Sequence, residues 1–232
     1  MKPTPFLAVA ALLALVPRGG AGVFDQSFTL NQDIPDTSSA GLLDVRNVSL
    51  AEPYIQDITV TLGIQPSPGK SAFFGDLYAY LEHDGVISVL INRPGRRADE
   101  TAGYDDNQSM TVTFATGAPD FHNYRPVDTT PLIGPLTGTF SPDARATDPG
   151  LVLSTDARTL PLSSFVGAVG GGDWRLYVSD LSGGGEVRLR DWSLHFGLAT
   201  VPDVDPSLVL LLLACGAMGF ARRHGRRPSA HP

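Results

Sequence analysis

Residues 173–197 read Asp173-Trp174-Arg175-Leu176-Tyr177-Val178-Ser179-Asp180, then Leu181-Ser182-Gly183-Gly184-Gly185-Glu186, then Val187-Arg188-Leu189-Arg190-Asp191-Trp192-Ser193-Leu194-His195-Phe196-Gly197. Trp174, Leu176 and Val178 alternate with Arg175, Tyr177 and Ser179, the period of a strand with one buried face. Ser182 and the three glycines that follow break the strand, and the spacing predicts a hairpin. The second strand changes phase: Val187 and Leu189 are apolar at odd positions, and Trp192, Leu194 and Phe196 at even ones. A one-residue slip of this kind predicts a β-bulge at Arg190 and Asp191. Both tryptophans of the chain, Trp174 and Trp192, lie in this stretch, so it is expected to anchor the core.

Working outward, Tyr54–Ile64 predicts a strand with Ile58, Val60, Leu62 and Ile64 on one side. Phe74–Leu81 and Val86–Ile91 predict two more, joined at His83-Asp84-Gly85, where Asp84-Gly85 favours a tight turn with positive φ. Phe24–Leu30, Gly41–Leu50 and Ser109–Ala115 are further strand candidates. Residues 92–108 form a polar loop, and 116–150, rich in Pro, Gly and Thr, predict loops with short strands. The body shows no helix longer than a turn or two. Many short strands without helices predict an all-β sandwich.

Gly172–Asp180 matches the pattern Gly-x-Trp-x-Leu-x-Val-x-Asp, and Leu189–Phe196 supplies the return strand. With Gly75-Asp76-Leu77 and Ile34-Pro35-Asp36, these residues resemble a P domain, also called P/Homo B or the proprotein convertase P domain. The resemblance covers residues 33–197. Val187 replaces a glycine usual in the family, Gln65 a frequent histidine, and Glu82-His83-Asp84-Gly85 a Ser-Pro turn. The resemblance implies a jelly-roll β-sandwich of the kind that follows the catalytic domain in subtilisin-like serine endopeptidases.

Residues 23–200 carry 22 acidic and 11 basic side chains, which argues against nucleic acid, whose phosphates need clustered Lys and Arg. The single cysteine, Cys215, lies in an apolar tail, so the body has no disulfide and no thiolate metal site. Residues 1–22 read as a signal peptide: Lys2, an apolar run from Phe6 to Val16, then Pro17 and the small residues Gly20, Ala21 and Gly22. Residues 201–232 begin with a proline-punctuated joint, Val201-Pro202-Asp203. An apolar span, Ser207–Ala221, follows, and then Arg222, Arg223, Arg226 and Arg227. That order resembles a PEP-CTERM sorting tail. It implies an exosortase-type processing enzyme as partner and an envelope location, membrane-held through the span or released after cutting. A plain C-terminal anchor is the alternative.

A subtilisin-like catalytic domain does not fit in the residues outside 33–197, and no serine sits in a Gly-x-Ser-x-Gly elbow, so no catalysis is expected. Asp99, Asp105, Asp106 and Asn107 place hard oxygen donors in one loop and are the candidate Ca²⁺ ligands, although any solvated loop could carry them. Asp76 and Asp180, at strand ends, are expected to accept backbone N–H bonds from turns. Tyr78, Tyr80 and Tyr177 can share a sheet face, as a cross-strand cluster or as a surface for sugar or protein. The expected role is structural or adhesive, at the envelope or in extracellular polymer. The alternatives are a carbohydrate- or calcium-binding module, and an accessory module of a subtilisin-like serine endopeptidase acting in trans.

Overall fold

The computed structural model describes residues 22–50, 54–127 and 129–199. The predicted signal peptide and the predicted sorting tail, with Val201, Pro202, Asp203, Arg222 and Arg223, lie outside the described residues. Nine strands occur within them: β1 (Gly22–Asp33), β2 (Leu42–Val48), β3 (Tyr54–Pro66), β4 (Leu77–His83), β5 (Val86–Asn92), β6 (Met110–Phe114), β7 (Leu136–Phe140), β8 (Gly172–Asp180) and β9 (Val187–Ala199). Short 3₁₀ turns cover Phe74–Asp76, Phe121–Asn123 and Leu162–Phe165. No helix among the described residues is long and apolar enough to cross a membrane.

The strands form two sheets, ordered β1-β9-β3-β6-β7 and β2-β8-β4-β5. Their facing sides make one core. Ile58, Val60, Leu62, Ile64, Trp192, Leu194 and Phe196 come from the first sheet, and Leu77, Ala79, Leu81, Trp174, Leu176 and Val178 from the second. All are essentially inaccessible to water. Complete burial of one such side chain contributes about 1.5–3 kcal/mol, so the inner faces supply the main drive to fold. The all-β sandwich read from the alternation is the architecture found.

The hairpin expected over 173–197 is not formed. β8 pairs with β2 and β4, whereas β9 pairs with β1 and β3, so residues 181–186 carry the chain from one sheet to the other. Each strand has one apolar face, and both faces cover the same core from opposite sides. The Trp174 and Phe196 rings meet across it, 5.1 Å between centroids. A hairpin would have placed both strands in one layer. The predicted bulge is present: β9 pairs Asp191 with Gly63 and Leu189 with Ile64, leaving Arg190 without a partner on β3.

Two smaller expectations also change. Phe74–Asp76 is a 3₁₀ turn, and the strand begins only at Leu77. The loop region contains β7, which runs parallel to β6. The β4–β5 turn is as expected, with Asp84 at φ 48° and Gly85 at φ 78°, the paired positive angles of a two-residue hairpin turn.

The edge strand β2 points Asp44 and Arg46 inward. Asp44 accepts the Trp192 indole N–H at 2.7 Å and pairs with Arg46 at 2.8 Å. The Arg46 guanidinium lies 5.0 Å from the centre of the Phe28 ring on the other edge strand, β1. Inward charges on an edge strand oppose pairing with another chain.

Candidate functional site

At one end of the four-stranded sheet, Asp180 closes β8 opposite Leu77, the first residue of β4. Asp76 sits one residue before it, at the end of the 3₁₀ turn. Gly75 is needed in that turn, because a Cβ there would stand 2.6 Å from the Tyr104 backbone nitrogen and 2.7 Å from the Ala102 carbonyl oxygen. Leu181 N–H donates to the Asp76 carbonyl, and Ser38 N–H to the Asp180 carbonyl, each at 3.0 Å. Three segments therefore meet here: 34–41, 74–77 and 180–182.

Arg93 joins them from the end of β5. Its Nε donates to the Gly75 carbonyl at 2.8 Å, and its Nη2 donates to Asp76 Oδ1 at 3.1 Å and to Ser182 Oγ at 3.2 Å. The Asp76 carboxyl is nevertheless held above its ordinary range, because burial outweighs the attraction of Arg93. Asp180 is 1% exposed. Burial first, and then the charges of Asp76 and Asp36, push its pKa up to about 7. Its Oδ1 has no hydrogen-bond partner. The Asp76 side chain instead meets a guanidinium from 17 residues away.

The four candidate Ca²⁺ ligands of residues 99–107 are not brought together as free donors. Asp106 is buried and fully engaged: Oδ2 accepts from the Tyr124 hydroxyl and from Arg125 Nε, and Oδ1 from Leu132 N–H. Burial alone would raise its pKa, but these donors outweigh it and hold the carboxyl below its ordinary range. Asp105 pairs with Arg125 and Asp99 with Arg97, and Asn107 is exposed beside Gln108. Among the described residues, no three His, Cys, Asp or Glu side chains are gathered as a ready metal cage.

The histidines are occupied as well. His83 is buried, lies flat on Trp174 at 4.2 Å, and places its two ring nitrogens 2.9 and 2.7 Å from the carbonyls of Asp173 and Val169. Carbonyl oxygens only accept, so a ring N–H on either side finds an acceptor, and the imidazole lies in the core away from solvent. His122 Nε2 lies 2.9 Å from the Arg96 carbonyl oxygen, and Nδ1 lies 2.7 Å from Asp143 Oδ2. Arg145 completes that buried group by bonding Asp143 at 3.1 Å and Asp120 at 2.8 Å. No motif announced this cluster, because its partners are drawn from different loops. His195 pairs with Asp25 on the solvent side of β9.

Tyr78, Tyr80 and Tyr177 share the outer face of the four-stranded sheet. Tyr80 and Tyr177 stack at 4.9 Å, and Tyr78 leans on both. Burial raises the Tyr78 pKa to about 12. The rings spend much of their faces on one another, as a cross-strand cluster does. Beside them, Leu43, Val45 and Ile87 are exposed.

No known sequence family matches the chain, and no curated protein matches it. Solved structures do. A chain in the Aeromonas sobria serine protease–chaperone complex aligns with 80% of this chain at 13% identity, with a TM-score of 0.41. The Aeromonas sobria serine protease alone aligns with 78% at 12% identity, with a TM-score of 0.40. The chain spans only 28% and 27% of the length of those two proteins.

Proposed function

We propose that this chain is an exported, non-catalytic sandwich of the P-domain type that works by contact, as a structural or adhesive element at the envelope or in extracellular polymer. The observation that carries this reading is the outer face of the four-stranded sheet. Leu43 (54% exposed), Val45 (45%) and Ile87 (37%) stand there beside the tyrosine cluster. Arg175 and Glu82, paired at 3.0 Å, lie in the same cross-strand rows, as do Asn47 and Asp173, paired at 2.8 Å. Apolar side chains interleaved with hydrogen-bonding groups suit a polysaccharide, which presents both C–H faces and hydroxyls. The burial of His83 and His122, each ring set against polar groups of the core, supports a role without catalysis.

The leader and the tail support the location. An apolar run followed by small residues is the form of a secretory signal. A proline joint, an apolar span and four arginines form a segment that stalls in a membrane, where a processing enzyme of the exosortase type can cut it.

The test is the full-length chain carrying Leu43→Asp and Val45→Asp, expressed in a host that exports it. Both side chains are solvent-facing, so cooperative unfolding is expected to stay within about 1 kcal/mol of wild type. Retention in the polymer fraction is expected to fall several-fold. Unchanged retention refutes the contact surface. Retention that instead follows a co-expressed subtilisin-like protease supports the accessory role in trans.

A further inference from the structure

The chain pairs its other buried acids thoroughly. Asp106 has Arg125, Tyr124 and a backbone N–H, and Asp143 has Arg145 and His122. Asp180 is the exception. It is as deeply buried, it makes no ion pair among the described residues, and its Oδ1 meets no donor at all. A buried carboxylate oxygen left this way carries a desolvation penalty that neighbouring groups normally offset.

The charge at this end is also unbalanced. Asp36, Asp76 and Asp180 act on one another, and among the described residues Arg93 is the only cation that bonds within the group. Lys70 reaches Asp36 only through space and is itself bonded to Glu186. Once all three acids are ionised, three carboxylates against one guanidinium leave two negative charges, which is the charge of a divalent cation. All donors at this end are oxygens, without sulfur or imidazole, which suits a hard ion.

We propose that a calcium ion binds between Asp76 and Asp180, and that Asp36 closes over it. Asp180 Oδ1 is the fixed ligand, set by β8. Arg93 holds Asp76 by one oxygen and cancels the third charge. Asp36 is exposed, on the segment joining β1 to β2, and Ser38 of that segment is already hydrogen-bonded to the Asp180 carbonyl. A short movement of Asp36 supplies the third carboxylate that the resting side chains do not gather, and water completes the shell of six to eight oxygens usual for this ion. Binding would tie segment 34–41 to the end of β8, adding to the Ser38–Asp180 backbone bond, the buried Ile34 and the Tyr177 hydroxyl on the Ser39 carbonyl.

The experiment is a calcium chloride titration of the chelator-treated full-length chain at pH 7.5, by calorimetry and thermal unfolding. One ion per chain is expected. The melting midpoint should rise by about 5–10 °C when free calcium is about 100 times its dissociation constant. Asp180→Asn, which keeps the side-chain shape, should abolish both signals. Asp36→Asn, on the exposed segment and without effect on the core, should weaken binding at least about tenfold. Asp105→Asn should bind as wild type. Absence of heat and of a midpoint shift up to about 10 mM calcium, beyond the range of weak extracellular sites, overturns the proposal. So does binding that survives Asp180→Asn, or that is lost in Asp105→Asn.

Discussion

Replacing Arg145 with methionine tests whether the buried ion cluster behaves as its geometry requires. The Arg145 side chain is 2% exposed and lies between Asp143, which water does not reach, and Asp120, which is 19% exposed. It also donates to the Ser154 carbonyl at 2.7 Å. Methionine fills much of the same length but leaves Asp143 without a cation, with only His122 and the backbone N–H of residue 145. Breaking a buried pair by removing one partner costs about 3–5 kcal/mol. The lower end applies here, because Asp120 keeps the His122 backbone N–H and a more distant Arg158 at 3.7 Å. A loss of about 3 kcal/mol at pH 7 is therefore expected, equivalent to a fall of roughly 6–12 °C in melting midpoint for a domain of this size. The loss should depend on pH. Burial alone would raise the Asp120 pKa, but Arg145 outweighs it, so the folded carboxyl lies below its ordinary range. Its ionisation thus adds stability above the ordinary carboxylate range, and that contribution disappears as pH falls through the lowered folded value. Removing Arg145 removes the contribution, so wild type and variant should differ most near neutrality and less near pH 3. Urea denaturation of both proteins across pH 3–7 reads this directly. A loss below about 1 kcal/mol at pH 7, or one that does not shrink on acidification, would refute the reasoning.

Two further outcomes are expected. Asp44→Ala should destabilise the sandwich by about 1–3 kcal/mol, because the buried Trp192 N–H loses its acceptor, and a urea midpoint measured beside wild type checks it. Deleting residues 201–232 should leave the melting transition within about 1 kcal/mol of full length while moving the protein out of the envelope fraction. Loss of cooperative unfolding on truncation would show that the tail is part of the core, and unchanged fractionation would show that it does not direct location.

Alternation made individual strands readable, because a side chain either faces the core or does not. Ile58, Val60, Leu62 and Ile64 marked β3, and Trp174, Leu176 and Val178 marked β8, without reference to any partner. The same signal located the bulge at Arg190, since an extra residue reverses the phase for every residue after it. Partnership was not readable in this way. β8 and β9 are adjacent in sequence and separated by glycines, as hairpin strands are, yet they bond β2 and β4, and β1 and β3, from as far away as the start of the body. A buried face is indifferent to which side of the core it covers. β7 was missed as a defined strand for a related reason: it is Leu-Thr-Gly-Thr-Phe, exposed at its centre, and it exists because the β6 edge pairs with it.

Polar groups follow a different rule. A strand-end aspartate is visible as a motif position, but its role depends on what folding brings against it. Asp106 and Asp180 are both buried acids. The 99–107 loop looked like the place for a cation because its acids are dense, yet folding delivers Arg125 and Tyr124 to Asp106 and settles its charge. Asp180 has no acid within six residues on either side except Glu186, and folding delivers two more carboxylates and no cation of its own. Local density of acids therefore does not tell which carboxylates folding leaves unmatched, even where the 99–107 loop packs on the Phe74–Asp76 turn. The useful quantity is the charge left unmatched after burial, and the end of β8, with Asp180 Oδ1 unpartnered, is where the proposed calcium ion would sit.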